Sequence, residues 1–193
     1  YFEAHPVENL LLINPDNPSG NYIKYSDLLR LIDWAGTRGC RLVIDESFAD
    51  FSEEFPENTL LHNDVLERNP HLCVMKSISK SYGVPGLRLG VLASGDEEII
   101  SHLKKDVSIW NINSFAEFFL QIYSKYDSDY KRSSAKFIAE RERFRTELAA
   151  VPFLEVFDSQ ANYFLCRLTG TLTSAELAVR LLSDYGILIK DCS

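Results

Sequence analysis

The order of apolar runs predicts an α/β fold on a mainly parallel sheet, followed by part of a smaller α+β unit. Three observations carry that prediction. Apolar runs of strand length recur at residues 10–13, 41–44, 71–76 and 87–93, and an amphipathic helical stretch separates the first two. The first three runs each lead into a polar, turn-forming segment, as the carboxyl ends of parallel strands do. A long helical stretch with a charged face then precedes a strand-strand-helix-strand pattern, which suits a small α+β unit.

Residues 10–13 read as a strand closed by two Asn/Asp-Pro turns and Gly20. Ser26 is placed to cap a helix reaching residue 38, with Leu28, Leu29, Leu31, Ile32 and Ala35 on its apolar side and Gly39 as its stop. With the strand at 41–44 this makes a βαβ unit, which requires parallel pairing and a right-handed crossover. Residues 45–58 read as an irregular loop rich in Glu and Phe, 60–68 as a short helix, and 71–76 as a buried strand. Lys80 follows on a loop; then come a strand at 87–93 and a helix at 96–105 with acids in its first turn.

Residues 107–113 form a connector in which Trp110 reads as core. Ser114 and Glu117 have capping-box spacing and open a helix to residue 126. A second helix covers 130–150, where Lys131, Arg132, Lys136, Glu140, Arg141, Glu142 and Arg143 read as a solvated face. Past Pro152, strands are expected at 153–157 and 162–168. A helix capped by Thr173 and Glu176 runs to residue 185, Gly186 stops it, and a last strand covers 187–190. The expected divisions are therefore 1–106, an interdomain helical segment 107–150, and a partial small domain 151–193.

Composition narrows the function classes. The chain carries 20 Lys+Arg against 28 Asp+Glu, so a nucleic acid backbone is a poor partner. No apolar run reaches the ~18 residues that a membrane helix needs, and no signal-peptide pattern is present. Cys40, Cys73, Cys166 and Cys192 are widely spaced, which reads as reduced thiols in the cytoplasm rather than a disulfide frame. His5, His62, His71 and His102 show no ligand spacing, so no metal site is expected.

Chemistry concentrates in the stretch Ser77-Ile78-Ser79-Lys80-Ser81-Tyr82-Gly83-Val84-Pro85-Gly86-Leu87-Arg88-Leu89-Gly90. A lysine there is either a solvated loop residue or an amine in a partly desolvated pocket, where its pKa falls and it can form a Schiff base with a carbonyl. Ser77 and Arg88 beside it suit an anion, Arg88 through its bidentate fork. Two further motifs accompany it: Asn14-Pro15-Asp16-Asn17-Pro18-Ser19-Gly20 after the first strand, and Val43-Ile44-Asp45-Glu46-Ser47-Phe48, where an acid ends the second. Taken singly, Asn17 is explained by turn formation and Asp45 by capping a turn.

In that order and spacing, the three motifs resemble the fold-type I pyridoxal-phosphate enzymes, nearest to the branch of the histidinol-phosphate aminotransferases and threonine-phosphate decarboxylases. The resemblance implies a three-layer α/β/α large domain, a pyridoxal 5'-phosphate cofactor and a homodimer acting on small amino acid and 2-oxo acid substrates. Amino-group transfer through a lysine Schiff base is the activity it implies first; decarboxylation of a phosphorylated amino acid is the alternative, and a non-catalytic truncated module is a rival of another class. It also implies a fragment, with a first half and a C-terminal stretch lying outside this sequence.

Carried over position by position, Lys80 holds the cofactor aldehyde and serves as the catalytic base. Asp45 faces the pyridine nitrogen, and Asn17 donates to the phenolic oxygen. Ser77, Ser79 and Arg88 grip the phosphate. Phe48 departs from the family's commoner tyrosine, which would share the phenolic oxygen, and looks more like the decarboxylase side. Asn111, Asn113 and Asn162 are further candidates to face the cleft.

Overall fold

The computed structural model describes residues 1–193 and has a mixed α/β architecture. Strand β1 (Asn9–Ile13) leads through helix α1 (Tyr25–Thr37) to β2 (Arg41–Asp45), and α2 (Asn63–Arg68) leads to β3 (Leu72–Ser77). The short α3 (Ile78–Ser81) and a 3-10 turn at Pro85–Leu87 connect to β4 (Gly90–Ser94). The sheet order is β1-β2-β3-β4; the first three strands are parallel and β4 runs antiparallel to β3. The mainly parallel sheet is thus as expected, with one reversed edge strand.

Register explains where the core lies. Leu10, Leu42 and Leu72 are cross-strand partners, as are Leu12, Ile44, Val74 and Ala93. All of these face Leu28, Ile32 and Ala35 of α1 and Leu66 of α2 in one apolar cluster. The opposite face carries Leu11, Val43 and Cys73 in one row and Ile13, Asp45, Met75 and Leu92 in the next. Leu11 is 63% exposed and Leu92 41%, so within this chain helices of the core cluster cover one face only.

Local signals mostly place the elements well, with instructive exceptions. The stop of α1 at Gly39 is borne out, its φ being +64°. Its start is corrected: Lys24, not Ser26, occupies the N-cap and makes no side-chain bond, because the helix begins two residues earlier. Helix α4 (Glu97–Asp106) is capped by Asp96, whose carboxylate accepts from Glu98 and Ile99 N–H. Helix α5 (Ser114–Tyr123) is capped by the Asn113 side chain, accepting from Ala116 N–H, rather than by Ser114.

A 3-10 turn at Ser124–Tyr126 leads to α6 (Asp127–Ala149). Beyond it, β5 (Leu154–Val156) pairs antiparallel with β6 (Cys166–Leu168), shorter than the runs that suggested them. Helix α7 (Ser174–Tyr185) has the complete Thr173–Glu176 capping box and ends at Gly186, φ +65°. Residues 187–190 form no strand; they have no strand partner here, and Leu188 is 79% exposed. All four cysteines are free, Cys40 and Cys73 being buried and Cys192 exposed. No helix is long and apolar enough to cross a membrane.

Candidate active site

Parallel pairing brings the carboxyl ends of β1, β2 and β3 to one rim, with Ile13, Asp45 and Met75 side by side. Backbone bonds continue the ladder past the strands, from Asn14 N–H to the Asp45 carbonyl (2.9 Å) and from Glu46 N–H to the Met75 carbonyl (2.7 Å). Asn14 is buried and its amide clasps Ile23 from both sides, donating to its carbonyl (2.9 Å) and accepting from its N–H (2.7 Å). That pins the turn after β1. Asn17, at its tip, is exposed and its amide makes no hydrogen bond within the protein.

Asp45 is held by a hydroxyl relay. Its Oδ1 accepts from Ser47 N–H (2.8 Å) and Ser47 Oγ–H (2.5 Å), and Ser47 Oγ in turn accepts from Ser77 N–H (2.9 Å). The acid at the end of β2 is therefore tied to the end of β3, three residues before Lys80. Its Oδ2 keeps its lone pairs free. Ser47 drew no attention in the sequence, because its role depends on two strand ends meeting.

Lys80 lies on α3 rather than on an open loop. Its side chain is exposed and forms no ion pair, and Nζ stands 5.6 Å from the centroid of the buried Phe48 ring. Ile78 N–H donates to the Leu89 carbonyl (3.1 Å), which places Arg88 beside the start of α3. Arg88 has φ +56°, a left-handed conformation that costs a non-glycine residue roughly 1–2 kcal/mol. Such strain is retained where the surroundings impose it, often at functional positions. Apart from one contact from Nη1 to the Pro85 carbonyl (3.3 Å), the Arg88 fork is free. Of the two serines before Lys80, Ser77 presents an unpaired hydroxyl. Ser79 is buried, its Oγ 3.5 Å from the Leu89 carbonyl, so it is turned away from the open rim.

Under the rim lies a polar layer that the sequence did not announce. Residues 45–58, expected as an irregular loop, hold Glu46 and Asp50, which are 1% and 2% exposed. Glu46 accepts from Leu60 N–H (2.6 Å) and Thr59 Oγ1–H (2.8 Å), and burial pushes its pKa up. Asp50 forms a buried ion pair with Lys76 and also accepts from Ser81 Oγ–H (2.9 Å) and Tyr130 O–H (2.5 Å). Burial, then the Asp50 charge, raises the Tyr130 pKa.

The segment after β5 closes over this rim. Gln160 N–H donates to the Gly20 carbonyl (3.0 Å) and Tyr163 O–H to the Asp16 carbonyl (2.8 Å). Tyr163 packs edge-on against Phe48, centroids 5.3 Å apart, with Phe51, Phe137 and Ala161 in the same cluster. Arg141, expected on a solvated face of α6, is buried instead. It donates to the Phe51 carbonyl (2.5 Å) and to Gln160 Oε1 (3.3 Å), because the helix turns that one position inward. Trp110 is 91% exposed and not core. Asn113 joins its connector to the rim by donating to the Leu87 carbonyl (2.8 Å), while Asn111 and Asn162 are exposed.

An unpaired amine, a carboxylate with one free oxygen, an open hydroxyl and a free guanidinium thus border one rim. That set can bind an anionic, carbonyl-bearing molecule and move protons on it.

Comparison with known proteins agrees with the motifs. The family model "Aminotransferase class I and II" matches residues 3–193. The chain is 36% identical over 190 residues to a histidinol-phosphate aminotransferase of Roseiflexus castenholzii, covering 97% of this chain and 48% of that protein. It is 31% identical over 196 residues to an L-serine phosphate decarboxylase of Sulfurospirillum multivorans, covering 98% and 49%. The structure of a histidinol-phosphate aminotransferase from Clostridium acetobutylicum superposes with a TM-score of 0.86 at 29% identity, over 98% of this chain and 56% of that one. The chain spans about half the length of these relatives. With its strand order, its three rim motifs and this match over nearly every residue, the chain belongs to the class I and II aminotransferase family.

Proposed function

We propose that the protein uses pyridoxal 5'-phosphate to transfer an amino group between an amino acid and a 2-oxo acid, this chain supplying part of the pocket. The observation that carries the reading is the Asp45–Ser47–Ser77 relay, which ties an acid to the strand end that presents the unpaired Lys80. The residues fit the group chemically. Lys80 offers a free amine to its aldehyde, Asp45 Oδ2 a partner for a ring N–H, Asn17 an unused amide donor, and Arg88 with Ser77 an anion clamp. Ser79 belongs to the clamp only if its hydroxyl leaves the Leu89 carbonyl.

When bound, the cofactor supplies an electron sink for charge left at the substrate Cα. Asp45 would hold the ring nitrogen's proton through its free Oδ2 and so keep that sink strong. Lys80, whose amine is unpaired, would take and return the Cα proton. Phe48 adds no hydrogen bond; it packs under the Lys80 amine and keeps water from that side. Residues 1–106 form the cofactor domain in this reading, 107–150 the interdomain helices and 151–193 part of the small domain. Two copies assemble, and the partners are small amino acids and 2-oxo acids.

Decarboxylation of a phosphorylated amino acid is the second reading. The likeness to a serine phosphate decarboxylase, close to that to an aminotransferase, favours it. Assaying the full-length protein with the cofactor separates the two. Keto-acid-dependent amino transfer supports the first, carbon dioxide release without a keto acid supports the second, and neither, with no lysine adduct trapped by borohydride, refutes both.

A further inference from the structure

The residues on either side of Lys80 are all anchored, although its own amine is not. Ser79 is buried, Ser81 Oγ–H donates to Asp50 (2.9 Å), and Tyr82 stacks flat on Tyr130, centroids 4.1 Å apart and planes 7° from parallel. Tyr130 belongs to α6, and its hydroxyl also donates to Asp50 (2.5 Å). Lys76, on β3 four residues before Lys80, completes the set through its buried ion pair with the same carboxylate. One carboxylate therefore receives a strand end, a helix residue next to the reactive amine, and the long helix that leads to the C-terminal unit.

We propose that Asp50 is a positioning residue for Lys80: its carboxylate is the common anchor that holds α3 against β3 and α6. The proposal rests on the cofactor reading only for what Lys80 reacts with, since the anchoring concerns this chain's own groups. The physical case is one of geometry. A four-residue helix has almost no intrinsic stability, because nucleation costs more than so few internal bonds return. Nor does α3 have an N-terminal side-chain cap. Its position must come from outside, and charge-assisted hydrogen bonds to a buried carboxylate are the strongest fixtures within reach. A fixed backbone with a free amine is the arrangement that a precisely placed nucleophile needs.

The test uses Ser81→Ala and Tyr130→Phe, each removing one hydroxyl that reaches Asp50 while leaving its ion pair with Lys76 in place. Two readouts apply: amide exchange at residues 78–83 by mass spectrometry, and the rate at which acetic anhydride labels Lys80. Losing a bond to a charged group should speed exchange at 78–83 by about tenfold or more, while β1 to β3 exchange as before. Lys80 labelling should change with it, and a Ser81→Thr variant, which keeps the hydroxyl, should restore both. Unchanged exchange at 78–83 in both hydroxyl variants would overturn the proposal. Uniform loosening of the whole sheet would overturn it too, making Asp50 a core ion pair only. Borohydride trapping of pyridoxal phosphate on Lys80 is run alongside. If the parent protein traps none, the cofactor reading fails while exchange still decides the anchor.

Discussion

Replacing Lys76 by methionine should be among the most damaging single changes in the chain, although no bond to substrate is lost. Lys76 is 8% exposed and its partner Asp50 2% exposed. Methionine keeps most of the stem's volume, so packing alone should cost little. The cost arises because Asp50 stays buried with only the Ser81 and Tyr130 hydroxyls to stabilise its charge. Breaking a buried pair from one side typically costs about 3–5 kcal/mol, against a total stability of roughly 5–15 kcal/mol for a domain. Neutralising both sides avoids this, since the asparagine of Asp50→Asn can still accept from the two hydroxyls. The double variant Lys76→Met/Asp50→Asn should therefore be more stable than Lys76→Met alone by at least about 1.5 kcal/mol, a strong negative coupling for residues in contact. Urea unfolding of the parent, both single variants and the double variant gives the cycle. A loss below about 1 kcal/mol for Lys76→Met, or additive single effects, would refute the account of a desolvated, mutually dependent pair.

Gly20→Ala should destabilise by more than Gly83→Ala. Both positions have positive φ, but a Cβ at Gly20 would overlap Ser159, whereas the space at Gly83 is open. Gly83→Ala should cost about 1–2 kcal/mol and Gly20→Ala distinctly more, by urea unfolding. Glu46→Gln should gain on the parent as pH rises. Burial raises the folded-state pKa of Glu46 above its ordinary 4.5, so the folded protein binds more protons and loses stability as pH climbs from there to the raised value. Unfolding measured across that window should show a flatter profile for the glutamine variant, and parallel profiles would exclude the effect. Lys80→Arg should abolish borohydride-stable attachment of pyridoxal phosphate while leaving the unfolding free energy within about 0.5 kcal/mol of the parent's, because the side chain is exposed and unpaired.

Much of this protein was legible in its residue order because the signals involved are local. A strand face follows from alternation along a few residues, and a helix end from one glycine. Gly39 and Gly186 marked their helix ends, and Thr173 with Glu176 formed the cap they promised. The three motifs read at strand ends do meet the same rim, since parallel pairing leaves no other place for them. Cap identity was less secure: Lys24 and Asn113 displaced the more obvious Ser26 and Ser114, the helices beginning two residues and one residue earlier than those caps imply.

What only the tertiary structure decided is which polar groups are buried. Glu46, Asp50, Lys76 and Arg141 look like any charged residues in a chain with 20 basic and 28 acidic side chains. Their burial depends on partners far away in sequence, Asp50 finding Tyr130 and Arg141 finding Phe51. Ser47 bridges two strands for the same reason, and residues 187–190 fail to form a strand because pairing, unlike alternation, needs a neighbour. Periodicity records what a residue's own segment prefers. The desolvation of a charge, and the groups that make it tolerable, exist only once distant segments have been brought together.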